Sequence, residues 1–306
     1  FARPIIRKNT LLKYKQFTLF STMYNSHNYY SFSVLLSVYF KEKPSFLENA
    51  LDSIWTLQSL KPKQIVVVKD GALTPELDEI LNVFSKKAPV DFVVNDFNIG
   101  LSASLNKGLK YCEYELVARM DTDDIAYPER FERQIAFFIE NPDIDILGSF
   151  ATKINDKGFG NELMKVPINN ESIYKLLWTN PFIHPSVMFK KSSILLAGNY
   201  EIPKDKRVRH DDYELWFRCA FNNLKFHNLP MPLIYYRYVD DTVIKNNWVV
   251  AWNRFKVGMK GSLKLRSNPL VYLGLLFPLF RSILPYPLNV YFNKIMIAIN
   301  PRTKRI

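Results

Sequence analysis

The sequence predicts an α/β fold, with a mostly parallel sheet flanked by helices. Three observations carry that expectation. Short apolar runs rich in Val, Ile, Leu and Phe recur through residues 32–150, the pattern of buried strands. Between them, apolar residues return at helical spacing instead. Each helix leads to another strand, and a strand–helix–strand crossover returns the chain in its original direction.

The elements follow in order. Residues 32–40 (FSVLLSVYF) read as a buried strand. Ser45 and Glu48 then stand at capping-box spacing: the Ser oxygen accepts from an early helix N–H, and the Glu reaches back. Phe46, Leu47, Ala50, Leu51, Ile54 and Leu57 give that helix its apolar face. A second strand at 65–68 ends in the turn Lys69-Asp70-Gly71. Thr74 caps, and Pro75 opens, a helix running to about Lys87. A strand at 90–94, a helix at 101–112 and a strand at 116–120 bring the chain to Asp121-Thr122-Asp123-Asp124. Pro128 opens a helix that stops near Asn141-Pro142, and 144–150 is a further strand. Beyond residue 150 the pattern loosens. It predicts a short helix at 171–178 and a loop at 181–186 leading into a strand at 187–189. A helix at 211–222, a strand at 233–238 and a basic helix at 247–265 follow. Residues 269–299 are apolar but interrupted by Pro278, Pro285 and Pro287.

Composition narrows the function. With 306 residues, 48% apolar and 23% charged, the chain is neither disordered nor a polytopic membrane protein. Two cysteines, Cys112 and Cys219, are too few for a disulfide framework or a Cys-rich metal site, which fits a reducing cytosol. Both are expected to pack as small hydrophobes. The net charge of +12 is uneven: residues 1–22 carry five basic residues and residues 245–306 carry eleven, neither with an acid. The remaining 25 basic and 29 acidic residues make the body mildly acidic, which argues against a nucleic-acid-binding core. The basic tail favours an anionic surface, above all a membrane. A membrane span needs about 20 continuous apolar residues. Between Arg266 and Arg281 only fourteen uncharged residues run, with Pro278 inside. The tail is therefore read as an interfacial segment or as a helix pair packed on the body. Residues 1–22 lack the pattern of a signal peptide and are set aside.

In sheets of this kind, ligands bind beyond the carboxyl ends of the strands. Those ends carry Tyr39, Asp70 and the acids of 121–124. Carboxylates two apart at a strand end can share one hard cation. A bare DxD also fits a solvated turn, but its place after a buried strand favours the site. Asp211 and Asp212 fit capping at a helix start, and equally fit a general base in a cleft. His27, His184, His210 and His227 show no zinc spacing. No GxGxxG, P-loop or GxSxG pattern occurs.

Seven pieces in order resemble the family 2 inverting glycosyltransferases, which have a GT-A, Rossmann-like fold. They are SVLLSVY at 33–39, IVVVKDG at 65–71, NIG at 98–100, LNKG at 105–108, DTDD at 121–124 followed by PER at 128–130, HPSVM at 184–188 and DDYELW at 211–216. The likeness is strongest to bacterial enzymes that extend polysaccharide or O-antigen repeat units, among them lipid-linked N-acetylglucosamine β-galactosyltransferases. It implies a GT-A domain over 32–240, with a nucleotide-sugar half at 32–124 and an acceptor half at 125–240. An extension at 1–31 precedes it, and a basic, apolar, helical segment at 241–306 follows.

The resemblance also implies roles. Ser37 and Tyr39 flank a uracil, Asp70 hydrogen-bonds it, and Asp121 lies near the ribose or donor sugar. Asp123 binds Mn²⁺ or Mg²⁺ with Asp124 in support. Asp212 is the catalytic base, with His184, Asp211 and Trp216 on the acceptor side. Two positions depart from the family pattern. Lys69-Asp70 stands where two acids are usual, and Asp211-Asp212 where Glu-Asp is commoner. The activity expected is metal-dependent, inverting transfer of a hexose from a UDP-sugar, best read as UDP-galactose, to a lipid-diphosphate-linked saccharide. N-acetylhexosaminyl or glucosyl transfer, and a silent sugar-nucleotide binder, are the alternatives. The expected place is the cytoplasmic face of the bacterial plasma membrane, peripherally held, with no nucleic-acid partner.

Overall fold

β1 (Phe32–Val38) buries six of its seven residues, as a strand covered by helices on both faces must. The computed structural model describes residues 31–203, 211–238, 248–284 and Leu288. The expectations for residues 1–30, including the extension at 1–22, and for His210 lie outside the described residues. After β1 come α1 (Pro44–Ile54), β2 (Gln64–Asp70), α2 (Pro75–Ser85), β3 (Val90–Asn95), α3 (Leu101–Tyr111) and β4 (Leu116–Arg119). β1 pairs in parallel with β2 and β4, and β2 with β3. In the order β3-β2-β1-β4 the first two crossovers step outward on one side of β1 and the third returns the chain to its other side. Between β1 and β4 the order reverses, and in sheets of this kind ligands bind at such a reversal, beyond the carboxyl ends of the strands.

The rest of the chain adds β5 (Ile125–Ala126), α4 (Arg130–Glu140), β6 (Ile146–Ile154), β7 (Glu162–Met164), α5 (Asn170–Lys175) and 3₁₀ turns at Leu177–Thr179 and His184–Ser186. Then come β8 (Met188–Lys190), α6 (Lys191–Leu196), α7 (Asp211–Phe221), β9 (Phe226–Arg237), α8 (Trp248–Lys264) and α9 (Pro269–Ile283). β8 joins the halves, lying antiparallel to both β4 and β6. β6 runs parallel to β9, which closes on β5.

Some boundaries correct the sequence reading. Ser45 does not cap α1: Lys43 is the N-cap, and Pro44 opens the helix with the preset φ that its ring supplies. Thr74 does cap α2, accepting from the Leu77 amide at 3.4 Å. β9 begins seven residues before the expected 233, at Phe226, and carries Pro230 and Pro232. Its register with β6 shifts between Ser149 and Ala151, where β9 carries the extra residues, and this irregular ladder tolerates the amides those prolines lack. β5, β7 and α6, of two, three and six residues, are too short to show a period and went unread.

α8 and α9 belong to the same unit as the sheet. Glycine on α8 lets α7 come close. A Cβ at Gly261 would lie 2.4 Å from the Phe217 ring, and one at Gly258 would lie 2.6 Å from the Tyr213 hydroxyl. Trp178 lies against Gly274 of α9 in the same way. No helix among the described residues is long and apolar enough to cross a membrane. Cys112 and Cys219 are free and buried, and burial pushes the Cys112 thiol up to about 12.

Candidate active site

The end of β4 turns sharply into three acids. Carboxylate oxygens of Asp121, Asp123 and Asp124 lie within 4.8 Å of one another. Asp124 is buried; its Oδ1 accepts from the Arg237 amide at 2.7 Å, while its Oδ2 has no hydrogen-bond partner. Burial and the neighbouring charges of Asp121 and Asp123 lift its carboxyl well above the usual range. Asp123 is pushed up to about 7, by burial first and then by the charges of Asp121 and Glu42. Acids so crowded repel unless a proton or cation lies among them. An acid trio that includes a buried, unpartnered carboxylate oxygen fits a hard divalent cation, which takes oxygen ligands.

Neighbouring side chains hold this turn. Arg237 donates from Nε to the Asp123 carbonyl at 2.7 Å and from Nη1 to the carbonyls of Asn155 and Asp156, each at 2.9 Å. Its guanidinium stacks 4.0 Å over Phe46. Thr122 donates to the Glu42 carboxylate. Arg119, buried in β4, ion-pairs with Asp121. Arg130, also fully buried, donates to the Arg119 carbonyl at 2.7 Å.

The residues expected on the donor side lie at the ends of β1 and β2. Ser37 is half-buried and Tyr39 exposed, its ring edge-on to Phe40. Asp70 is buried, and its carboxylate accepts from the Asn95 side chain (3.0 Å), the Ile99 amide (2.8 Å) and the Gly100 amide (3.0 Å). It therefore builds the turn that starts α3, where Gly100 takes φ +94°. Lys69 pairs with Asp78 of α2 at 2.7 Å, so that departure from the family pattern is satisfied within the fold.

The residues expected on the acceptor side gather around α7. Asp212 lies in its first turn, and its Oδ2 accepts from the Asn180 side chain at 2.9 Å. Asn180 holds a left-handed backbone, φ 59°, which Asn tolerates better than most residues. The Asp211 side chain lies outside the described residues. His184 Nε2 and the Tyr200 hydroxyl are 2.9 Å apart. Burial and the nearby Arg119 charge hold His184 well below its usual pKa, and so neutral. Trp216 is fully buried, edge-on to His184 and tilted against Phe182. It supports the site by packing and presents no surface to a ligand. The Tyr200 backbone exchanges bonds of 2.9 and 2.7 Å with Asn106, tying the 198–200 turn to α3.

The structure thus brings Asp121, Asp123 and Asp124 together beyond the end of β4 and places Asp212 in the first turn of α7. Sequence reasoning missed Arg119, Asn180, Tyr200, Glu42 and Arg237. Arg119 left a signal, a charge inside a buried strand, which demands a fixed partner.

The family model of glycosyl transferase family 2 matches residues 33–197. An uncharacterised glycosyltransferase of Haemophilus influenzae is 36% identical over 246 residues, 76% of this chain and 88% of that protein. The amylovoran biosynthesis glycosyltransferase AmsE of Erwinia amylovora is 36% identical, over 74% of this chain and 82% of its own. The Escherichia coli UDP-Gal:α-D-GlcNAc-diphosphoundecaprenol β-1,3-galactosyltransferase is 33% identical, over 69% and 75%. Among solved structures, Staphylococcus aureus TarS 1–349 with UDP-GlcNAc superposes with a TM-score of 0.61 at 18% identity, covering 83% of this chain and 71% of that one. That likeness shows the GT-A fold, and the sequence matches show the family. The chain belongs to glycosyl transferase family 2.

Proposed function

We propose that this glycosyltransferase moves a hexose from a UDP-sugar to a lipid-diphosphate-linked saccharide in bacterial surface polysaccharide synthesis, with inversion at the anomeric carbon. The observation that carries the donor half is the acid trio at the strand-order reversal, with its unpartnered Asp124 oxygen. Asp123 and Asp124 would hold Mn²⁺ or Mg²⁺, with Asp121 beside them. Such an ion, when bound, neutralises the charge that builds on the diphosphate leaving group.

The chain's own groups do the rest. Ser37 and Tyr39 flank the uracil at the end of β1. Asp70 shapes the turn at 98–100, and its contact with the uracil uses the lone pair left after three bonds. Asn180 orients Asp212 through one oxygen and leaves the other for the acceptor hydroxyl. Asp212 takes that proton as the acceptor oxygen attacks C1 from the face opposite the leaving group. One displacement makes a β-linkage from an α-linked donor. Positioning and fixed charge supply most of the acceleration.

Likeness to the E. coli enzyme favours UDP-galactose and a lipid-diphosphate acceptor. Glucosyl or N-acetylhexosaminyl transfer is the second choice, since one epimeric hydroxyl separates the first pair. Exposed Trp248 and Trp252 on α8, and Leu270, Leu273, Phe280 and Ile283 on α9, support peripheral membrane docking through an acid-free basic segment. The test is UDP release from a panel of UDP-sugars, with and without Mn²⁺, offering a lipid-diphosphate N-acetylglucosamine. Release with one donor, dependent on metal and acceptor, is expected. Metal-dependent UDP binding without release across a widened acceptor panel would replace the enzyme by a silent binder.

A further inference from the structure

Arg130, of the PER piece at 128–130, takes no part in the proposed chemistry, yet it is a fully buried charge. It opens α4, and its guanidinium makes three bonds in three directions. Nη2 donates to the Arg119 carbonyl at 2.7 Å, Nη1 to the Met120 sulfur at 3.2 Å, and Nε to the Gln134 side-chain oxygen at 3.1 Å. Among the described residues, no carboxylate forms an ion pair with it. A charge taken out of water without an anion is a poor source of stability. What the planar guanidinium supplies is fixed direction.

Two of the three bonds fall on the residues that lead into the acid trio, since Arg119 and Met120 immediately precede Asp121. Their amides are held as well. The Arg119 amide donates to the Val187 carbonyl at 2.9 Å, and the Met120 amide to the Leu35 carbonyl at 3.0 Å. Arg119 itself reaches forward to pair with Asp121. Arg130 thus fixes the carbonyl from which the acidic turn starts.

The third bond leads away from the acids. Gln134, one helical turn along α4 and also fully buried, donates from Nε2 to the Ser186 carbonyl at 2.8 Å. Ser186 closes the 3₁₀ turn that begins at His184. Its hydroxyl donates to the Ile183 carbonyl at 2.7 Å and accepts from the Ser149 amide at 3.1 Å, so the turn is anchored to β6. The His184 ring packs edge-on against Trp216, which stands one helical turn after Asp212 on α7. Arg130 and Gln134 therefore link the start of the acidic turn to the turn that packs on the helix of Asp212. Every member of the link from Arg119 to Ser186 is buried.

We propose that Arg130 and Gln134 are positioning residues that hold the acid trio and the His184 turn at one fixed spacing, so that the donor sugar and the acceptor hydroxyl meet in line. The inference rests on the roles proposed above for the trio and for Asp212. Two conservative variants cut the link at different ends. Arg130→Lys keeps the charge and loses the planar fork. The Mn²⁺ concentration for half-maximal UDP binding should then rise about tenfold. Gln134→Glu keeps an oxygen for Arg130, now a carboxylate, and loses the donor to Ser186. It should keep the Mn²⁺ requirement within about twofold of the wild type while single-turnover transfer falls about a hundredfold. Thermal unfolding is recorded on the same samples. If both variants shift both readings in step with a lower Tm, the pair is packing alone, and the proposal fails while the function stands. An unchanged Mn²⁺ requirement in Arg130→Lys, or unchanged transfer in Gln134→Glu, would overturn it as well. If the wild type binds UDP with Mn²⁺ and transfers to no acceptor, the function fails and takes the Gln134 arm with it, while Arg130→Lys still reads the metal arm.

Discussion

Arg119 shows how much one buried charge organises. It faces Asp121 on one side, and its charge reaches His184 and Tyr200 on the other. Replacing it with Met would leave Asp121 without its cation. The expected loss is about 3–5 kcal/mol of unfolding free energy in urea, partly recovered by Lys. Asp123 gives a second test. Asp123→Ala should abolish the metal dependence of UDP binding by titration calorimetry, and unchanged binding would remove it as a ligand. Its pH behaviour has a definite sign. With its folded carboxyl near 7 and an ordinary unfolded one, the metal-free protein binds the extra proton below pH 7. Its contribution to stability is present at low pH and is lost as pH rises toward and through 7. Cation binding displaces that proton, so the rise in Tm on adding Mn²⁺ should be larger at pH 7.5 than at pH 5.5. Taking the difference with and without metal cancels the opposite contribution of His184, which loses stability as pH falls. At this scale the sequence was informative where chemistry sits in a local pattern, as in DTDD. It was silent on Asn180, because a left-handed Asn that orients a carboxylate 32 residues away has no local signature.

Helices and strands were legible wherever a cap or a period was local. Thr74-Pro75 announced α2, and Thr74→Ala should cost about 1 kcal/mol of stability in thermal or urea unfolding. Ser45 and Glu48 matched a cap by spacing alone, and Pro44 decided the start instead. The parallel strands β1 to β4 were all read: β1, β2 and β4 bury continuous apolar runs, and β3, at the sheet edge with two of its six residues buried, still carries mostly β-branched and aromatic residues. β9 was read only in its second half, because prolines that a bulged pairing tolerates look like strand breakers in sequence. The fit of α8 on α7 was invisible, because it depends on which residue faces Gly261. Gly261→Val would drive a side chain into the Phe217 ring, at an expected cost of about 1–3 kcal/mol and with loosened packing of α8. Acceptor turnover should fall more than UDP affinity in that variant, since α8 packs on α7, which carries Asp212.

Across the whole molecule, the two halves of the sheet divide the labour. The parallel half carries the acid trio and the β1 end, and β8 joins it to a mixed half whose helix α7 carries Asp212, the proposed base. The parallel half follows from crossovers that sequence periodicity shows. The mixed half depends on long-range pairings such as β6 with β9, separated by some eighty residues, which no window reveals. Charge is divided as well, with an acid-free segment from 245 onward on a mildly acidic body. The full chain should float with vesicles containing anionic lipid and stay behind with neutral ones, and equal partitioning would reject membrane docking. The most direct measurement of the whole account is single-turnover transfer by Asp212→Asn beside the wild type, with Mn²⁺-dependent UDP affinity measured in parallel. The account predicts a transfer rate lower by about 10²–10⁴-fold, with UDP affinity within about twofold of the wild type. Transfer at a near-normal rate would contradict it and take the role of base away from Asp212.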